Sequence, residues 1–149
     1  NRAILGVPPM SRTIYETQSD LNREENLKKE LEKKWSCNLI KLPIRYCLDY
    51  AALRNKKIVA FIEIKHRTNK IHAYPTYMLS LAKVQAAKRL AEDVKVPPFL
   101  VVQWVDALGT TNLANCKFSL EMGGRTDRKD SQDVEPVAHI NLAEFNKFI

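Results

Sequence analysis

Two β-branched and aromatic segments, Arg45 to Leu53 and Lys57 to Arg67, are joined by the polar run Arg54-Asn55-Lys56-Lys57. Strand-forming residues on either side of so short a turn pair as a β-hairpin. If residues whose numbers sum to about 112 face each other across the Asn55-Lys56 turn, Asp49 faces Glu63. Directly paired residues share a face, with Cβ atoms about 4.5–5.5 Å apart, so two carboxylates stand side by side. The period of two puts Phe61, Glu63 and Lys65 on that face and Ile58, Ala60, Ile62 and Ile64 on the other. The meeting of the two acids depends on this register, because a slip of one residue would send them to opposite faces.

The charge pattern isolates the same two acids. From Lys33 to Ala91 there are 13 Lys and Arg residues but only Asp49 and Glu63 as acids, where an even spread of the chain's 17 acids would put about seven. A solvated basic surface with two incidental acids is the plain alternative. The net charge of +7 and pI near 9.4 favour an anionic partner.

The other elements follow from periodicity and punctuation. Ser19 to Trp35 is rich in Leu, Glu and Lys and predicts a helix whose Leu21, Leu27, Leu31 and Trp35 form one apolar stripe. Asn38 to Leu42, set off by Pro43, precedes the hairpin as a first strand. Thr76 to Asp93 predicts a second helix, stopped before Pro97 and Pro98, and Phe99 to Val105 a buried strand. Beyond Asp106 the expected elements are a strand from Asn115 to Met122, a polar loop from Gly123 to Asp133, a short strand from Pro136 to Ile140 and a helix from Leu142 to Ile149. The order αβββαβ predicts an α/β fold, a mixed central sheet flanked by helices, in a single domain over 18–149. Residues 1–17, with Pro8 and Pro9, read as an irregular leader.

No apolar run approaches the ~20 residues of a membrane span, and a soluble protein is expected. Cys37, Cys47 and Cys116 are odd in number and lack CxxC spacing, which argues against a disulfide framework or structural zinc and for a reducing, cytoplasmic compartment.

Two adjacent carboxylates repel unless they share a proton or bind a cation. Hard oxygen ligands suit Mg²⁺, which takes one or two carboxylates and completes its octahedron with waters and phosphate oxygens. Such an ion polarises a phosphodiester and lowers the pKa of an attacking water, and Lys65 beside it can orient that water or stabilise charge. Asp49, thirteen residues, then Glu63-Ile64-Lys65 at the end of an apolar strand resembles the core of the PD-(D/E)XK nucleases, a restriction-endonuclease-like fold. The likeness runs from about Leu21 to Asp106, with Leu48 where the family name has proline.

The resemblance implies a DNA nuclease, an endonuclease leaving 5′-phosphate and 3′-hydroxyl ends. It implies Asp49, Glu63 and the Ile64 carbonyl as ligands of Mg²⁺, with Mn²⁺ as a substitute, and Lys65 as the catalytic lysine. Relatives also add an acid from the first helix. With Leu31 at zero and about 100° per residue, Glu24 lies at about +20°, centred on the apolar stripe, and Glu25 at about +120°. Glu24 is therefore the expected ligand, against the alternative of a buried ion pair, for example with Lys28 or an Arg from the sheet. The resemblance places Gln85 of the second helix at the site, against plain surface exposure. Lys83 lies near that helix's apolar face, either as a second active-site cation or snorkelling past it.

Arg67, Lys70, Lys83, Lys88 and Arg89 are the candidate DNA contacts. His66, Arg67, Lys70, His72, Tyr74 and Tyr77 form a basic, aromatic stretch without acids, suited to phosphate contacts and stacking. The histidines lack a zinc-like partner set and read as loop residues. Gly123-Gly124-Arg125 and Arg128-Lys129 offer a further basic contact. The competing readings are a non-catalytic nucleic-acid-binding module that keeps the nuclease fold, and an interaction domain for an acidic protein. A homodimer is expected through an edge strand in which Leu113, Phe118, Leu120 and Met122 alternate with polar residues.

Overall fold

The structure is a computed structural model that describes residues 18–124 and 134–148. The chain divides into two compact units, one ending at Ser36 and one spanning Cys37–Ile149. In the first unit, α1 (Gln18–Trp35) carries Asp20 in its first turn and Lys33 and Lys34 in its last, charges that complement the helix dipole. Leu27 and Leu31 of the expected stripe are buried, whereas Leu21 is exposed.

In the second unit, β1 (Asn38–Lys41), β2 (Tyr50–Arg54) and β3 (Lys57–His66) form an antiparallel meander. The turn between β2 and β3 holds Asn55 at φ 52° and Lys56 at φ 66°. Left-handed conformation at both central positions suits a two-residue hairpin, although for Lys56 it costs about 1–2 kcal/mol. Next to the turn Arg54 pairs with Lys57 and Leu53 with Ile58; a bulge between Ala52 and Leu53 then shifts the pairing by one residue, so that Ala51 meets Phe61, Tyr50 meets Ile62, and the register expected for Asp49 and Glu63 is reached. The second strand is shorter than expected: residues 45–48 are irregular and Asp49 immediately precedes β2.

β3 pairs in parallel with β5 (Pro98–Gln103), and β6 (Leu108–Asn112) and β9 (Asn146–Phe148) complete a mixed sheet of order β1-β2-β3-β5-β6-β9. A parallel pair needs a crossover, here supplied by β4 (Thr76–Ser80) and α2 (Leu81–Val94). β4 forms a second sheet with β8 (Val134–Asn141) and β7 (Phe118–Gly124), ordered β4-β8-β7. Leu100, Val101 and Val102 of β5 are fully buried, each side chain contributing about 1.5–3 kcal/mol. Tyr77, Trp104 and Phe145 pack edge to face beside them, with ring centroids 5.4–6.2 Å apart.

Three expectations are corrected. Residues 76–80 are a strand rather than the start of the second helix, because alternate burial of Tyr77 and Leu79 against β8 outweighs their helical propensity. The C-terminal segment is one 3-10 turn, Leu142–Glu144, followed by β9 rather than a helix. So short a helix is marginal on its own, and the backbone instead pairs with the open edge of β6. Gly123 and Gly124 belong to β7 rather than to a loop; Arg125, Arg128 and Lys129 lie outside the described residues.

Candidate active site

The hairpin brings Asp49 and Glu63 together at the C-terminal half of β3. The Asp49 carbonyl accepts a hydrogen bond from Leu42 N at 2.8 Å, and its side-chain Oδ2 accepts from Ile64 N at 3.0 Å. Asp49 is thereby held against β3 by its carboxylate. Lys41 approaches the other oxygen, Oδ1, at 4.0 Å.

Glu63 is 2% exposed, a position that a carboxylate occupies only with compensation. Its Oε2 lies 3.3 Å from Lys65 Nζ and 3.5 Å from Lys83 Nζ. Its Oε1 is buried and has no hydrogen-bond partner among the described residues. Burial, and then the charge of Asp49, raise the Glu63 carboxyl above its ordinary range, with Lys83 and Lys65 opposing. Lys83 also donates to the Cys47 carbonyl, so one α2 side chain ties Glu63 to the segment that carries Asp49.

Asp49, Glu63, Lys65 and Lys83 are thus gathered at one place. Gln85 is not: it is exposed, and two positions along a helix turn it about 200° away from Lys83. Arg67, next on the Glu63–Lys65 face, donates to the Tyr77 hydroxyl at 2.7 Å and to the His66 carbonyl at 3.2 Å, and lies over the Tyr77 ring. Lys70, Lys88 and Arg89 are exposed, with Lys88 over the Phe118 ring. On α1, Glu24 is half-buried and Glu25 exposed.

Sequence reasoning named Tyr77 in the basic, aromatic stretch but missed its place on a strand, where its hydroxyl accepts from Arg67. Burial pushes its phenol up to about 12, so it stays neutral and hydrogen-bonded. The alternation Thr76-Tyr77-Met78-Leu79-Ser80 was the signal that could have placed it on a strand. His66 points to the opposite face, its Nδ1 at 2.9 Å from Gln103 Oε1. Burial raises the Cys47 and Cys116 thiols, which makes both poor nucleophiles.

Among the described residues no group of three or more His, Cys, Asp or Glu side chains is placed to hold a metal. The site offers two carboxylates, and the buried Oε1 of Glu63 is an acceptor awaiting a partner. That donor set fits a hard divalent cation completed by water and phosphate oxygens.

The sequence profile of a family described as "Phage putative PDDEXK endonuclease" matches residues 10–148. Among solved structures, Hjc, a Holliday junction resolvase of Archaeoglobus fulgidus, aligns with a TM-score of 0.55 at 19% identity, over 85% of this chain and 86% of that one. No curated protein sequence matches the chain. The likeness to Hjc shows a shared fold, with the mixed central sheet and flanking helices expected from the sequence. The profile covers nearly the whole chain, including the paired strands that carry Asp49, Glu63 and Lys65: the chain belongs to the phage PDDEXK endonuclease family and is a DNA nuclease.

Proposed function

We propose that the chain is a Mg²⁺-dependent endonuclease in which Asp49, Glu63 and the Ile64 carbonyl hold the ion, with Mn²⁺ able to substitute. The observation that carries this reading is the buried Glu63, whose Oε1 lacks a partner while Asp49 stands across the hairpin. When bound, the ion supplies Lewis acidity toward the phosphodiester and a more acidic attacking water. Lys65, 38% exposed at the mouth of the site, orients that water and stabilises charge on the phosphate. Lys83 takes the α2 position that the resemblance gave to Gln85 and holds Glu63 and the Asp49 segment in register. Arg67, Lys70, Lys88 and Arg89 contact the DNA backbone.

No helix among the described residues is long and apolar enough to cross a membrane. The three cysteines are free thiols, which fits a reducing compartment such as the cytoplasm. We further propose a homodimer through β7, an edge strand with exposed Leu120 and Met122; light scattering that finds a monomer at micromolar concentration, with and without DNA, excludes it.

The test is a panel of labelled duplex, flap, junction and single-stranded DNAs incubated with Mg²⁺, Mn²⁺ or EDTA. Cleavage is expected with either ion and none with EDTA, and Glu63→Ala should abolish it without loss of folded structure. Undiminished cleavage by Glu63→Ala overturns the assignment, and salt-sensitive binding without cleavage in any condition favours a non-catalytic binding module.

A further inference from the structure

Beyond Lys65, the active face of β3 continues to Arg67, about 13 Å from Glu63 at roughly 3.3 Å per residue. There it opens into a cavity of about 450 Å³ between the loop after β3 and the outer face of the smaller sheet. Arg67, Tyr74, Tyr77, Trp104, Glu121 and His139 are among its lining residues. Ordinary ligand pockets occupy about 300–1,000 Å³, mostly apolar with a few fixed polar groups. This cavity matches that description in both size and chemistry.

Its parts divide by role. The Arg67 guanidinium is fixed by the Tyr77 hydroxyl and the His66 carbonyl, so it offers a positioned cation rather than a flexible one. Tyr74 and Met78, which also line the cavity, are 64% and 58% exposed, so the Tyr74 ring is open to a flat stacking partner. His139, bonded to Thr76 Oγ1 at 3.0 Å, and the exposed Glu121 supply polar groups from adjoining strands. A carboxylate accepts from the exocyclic amino group of cytosine or adenine, and aromatic side chains stack on any base. A phosphate-anchoring Arg, a stacking Tyr and an acceptor carboxylate together describe one nucleotide.

We infer that this cavity receives a single unstacked nucleotide of the DNA strand being cut, so that the preferred substrate carries unpaired nucleotides close to the scissile phosphate. A paired base is covered on both faces by its neighbours and cannot enter a concave site; an already unpaired one enters without the cost of unstacking. The inference rests on the DNA-nuclease reading of the adjoining carboxylates, and it specifies which DNA that site acts on.

The experiment measures binding of the chain in EDTA, with the DNA checked to be intact after incubation. The probes are a continuous duplex and a duplex of equal length with a short single-stranded gap containing 2-aminopurine. The gapped DNA should bind more tightly, and the 2-aminopurine fluorescence should change on binding. Stacking on one aromatic side chain is worth about 1–3 kcal/mol, so Tyr74→Ala should reduce the preference for the gap by about 5- to 150-fold. It should also abolish the fluorescence change. Glu121→Gln should retain the preference for a gapped thymine tract and lose part of it for cytosine. Equal affinity for the two DNAs, or loss of both affinities by the same factor in Tyr74→Ala, overturns the inference. Cleavage with Mg²⁺ is scored separately. A protein that prefers the gap but never cuts keeps the pocket and loses the catalytic reading.

Discussion

Replacing Lys83 by Met tests whether the α2 lysine is the counter-charge of the buried carboxylate. Lys83 Nζ lies 3.5 Å from Glu63 Oε2, and the two side chains are 28% and 3% exposed. At an effective dielectric near 20, unit charges at that distance interact by about 5 kcal/mol. Desolvation cancels part of this, and removing one partner of a buried pair costs about 3–5 kcal/mol in practice. Lys65 remains beside Glu63, but it is more exposed and solvent screens it. Lys83→Met should therefore destabilise the metal-free protein by about 3 kcal/mol at pH 7, or about 6–12 °C in Tm for a chain of this size. The contact with the Cys47 carbonyl is lost in any background, so a double-mutant cycle with Glu63→Gln cancels it. Urea unfolding of the four proteins should give a coupling of about 2–3 kcal/mol. A coupling below about 0.5 kcal/mol, the scatter of independent sites, refutes the pairing. Acid provides a second check: the penalty should fade as pH falls through the raised Glu63 value and the carboxyl takes up a proton.

Lys65→Ala should lower turnover by about 10²-fold or more while metal affinity, followed by calorimetry, changes little. Glu24→Gln should impair cleavage far more than Glu25→Gln; equal effects refute the helical-face argument. Because the folded Glu63 carboxyl titrates above its ordinary 4.5, the unfolded chain ionises first and the metal-free protein should lose stability as pH rises through that window. Glu63→Gln should flatten this limb, and divalent-ion affinity should rise over the same range. Tyr77 is held neutral up to about 12 against an ordinary 10, so stability should also fall between pH 10 and 12, by up to about 3 kcal/mol. Tyr77→Phe should remove that alkaline limb from the unfolding curves.

The hairpin that carries Asp49 and Glu63 was legible because its information is local. A two-residue turn at Asn55-Lys56 starts the pairing and a bulge at Ala52/Leu53 shifts it by one, all within a few residues of the chain, and register decides which side chains share a face. Lys83 was visible on the inner side of its helix for the same reason. The parts that were not legible depend on distant partners. Thr76 to Ser80 becomes a strand only because β8 lies alongside. β6, with Gly109 and three polar residues, carries no strand pattern of its own, and the glycine there answers to close packing. A Cβ at position 109 would come within 3.3 Å of the Trp104 ring. Gln85 was expected at the site from a family habit, and the pitch of α2 carries it to the outer surface instead.

The contrast between local and distant pairing also orders the assembly of the site in time. Tyr50 finds Ile62 across one tight turn, whereas Thr76 must find Asn141 nearly half the chain away. Contacts of low sequence separation close fastest, and an emerging polypeptide offers its N-terminal segments first. The nascent chain should hold Asp49 and Glu63 together while β8, which fixes Tyr77, is still unmade. Substitutions in the hairpin should then slow folding as well as chemistry, and those in β8 should act chiefly by speeding unfolding.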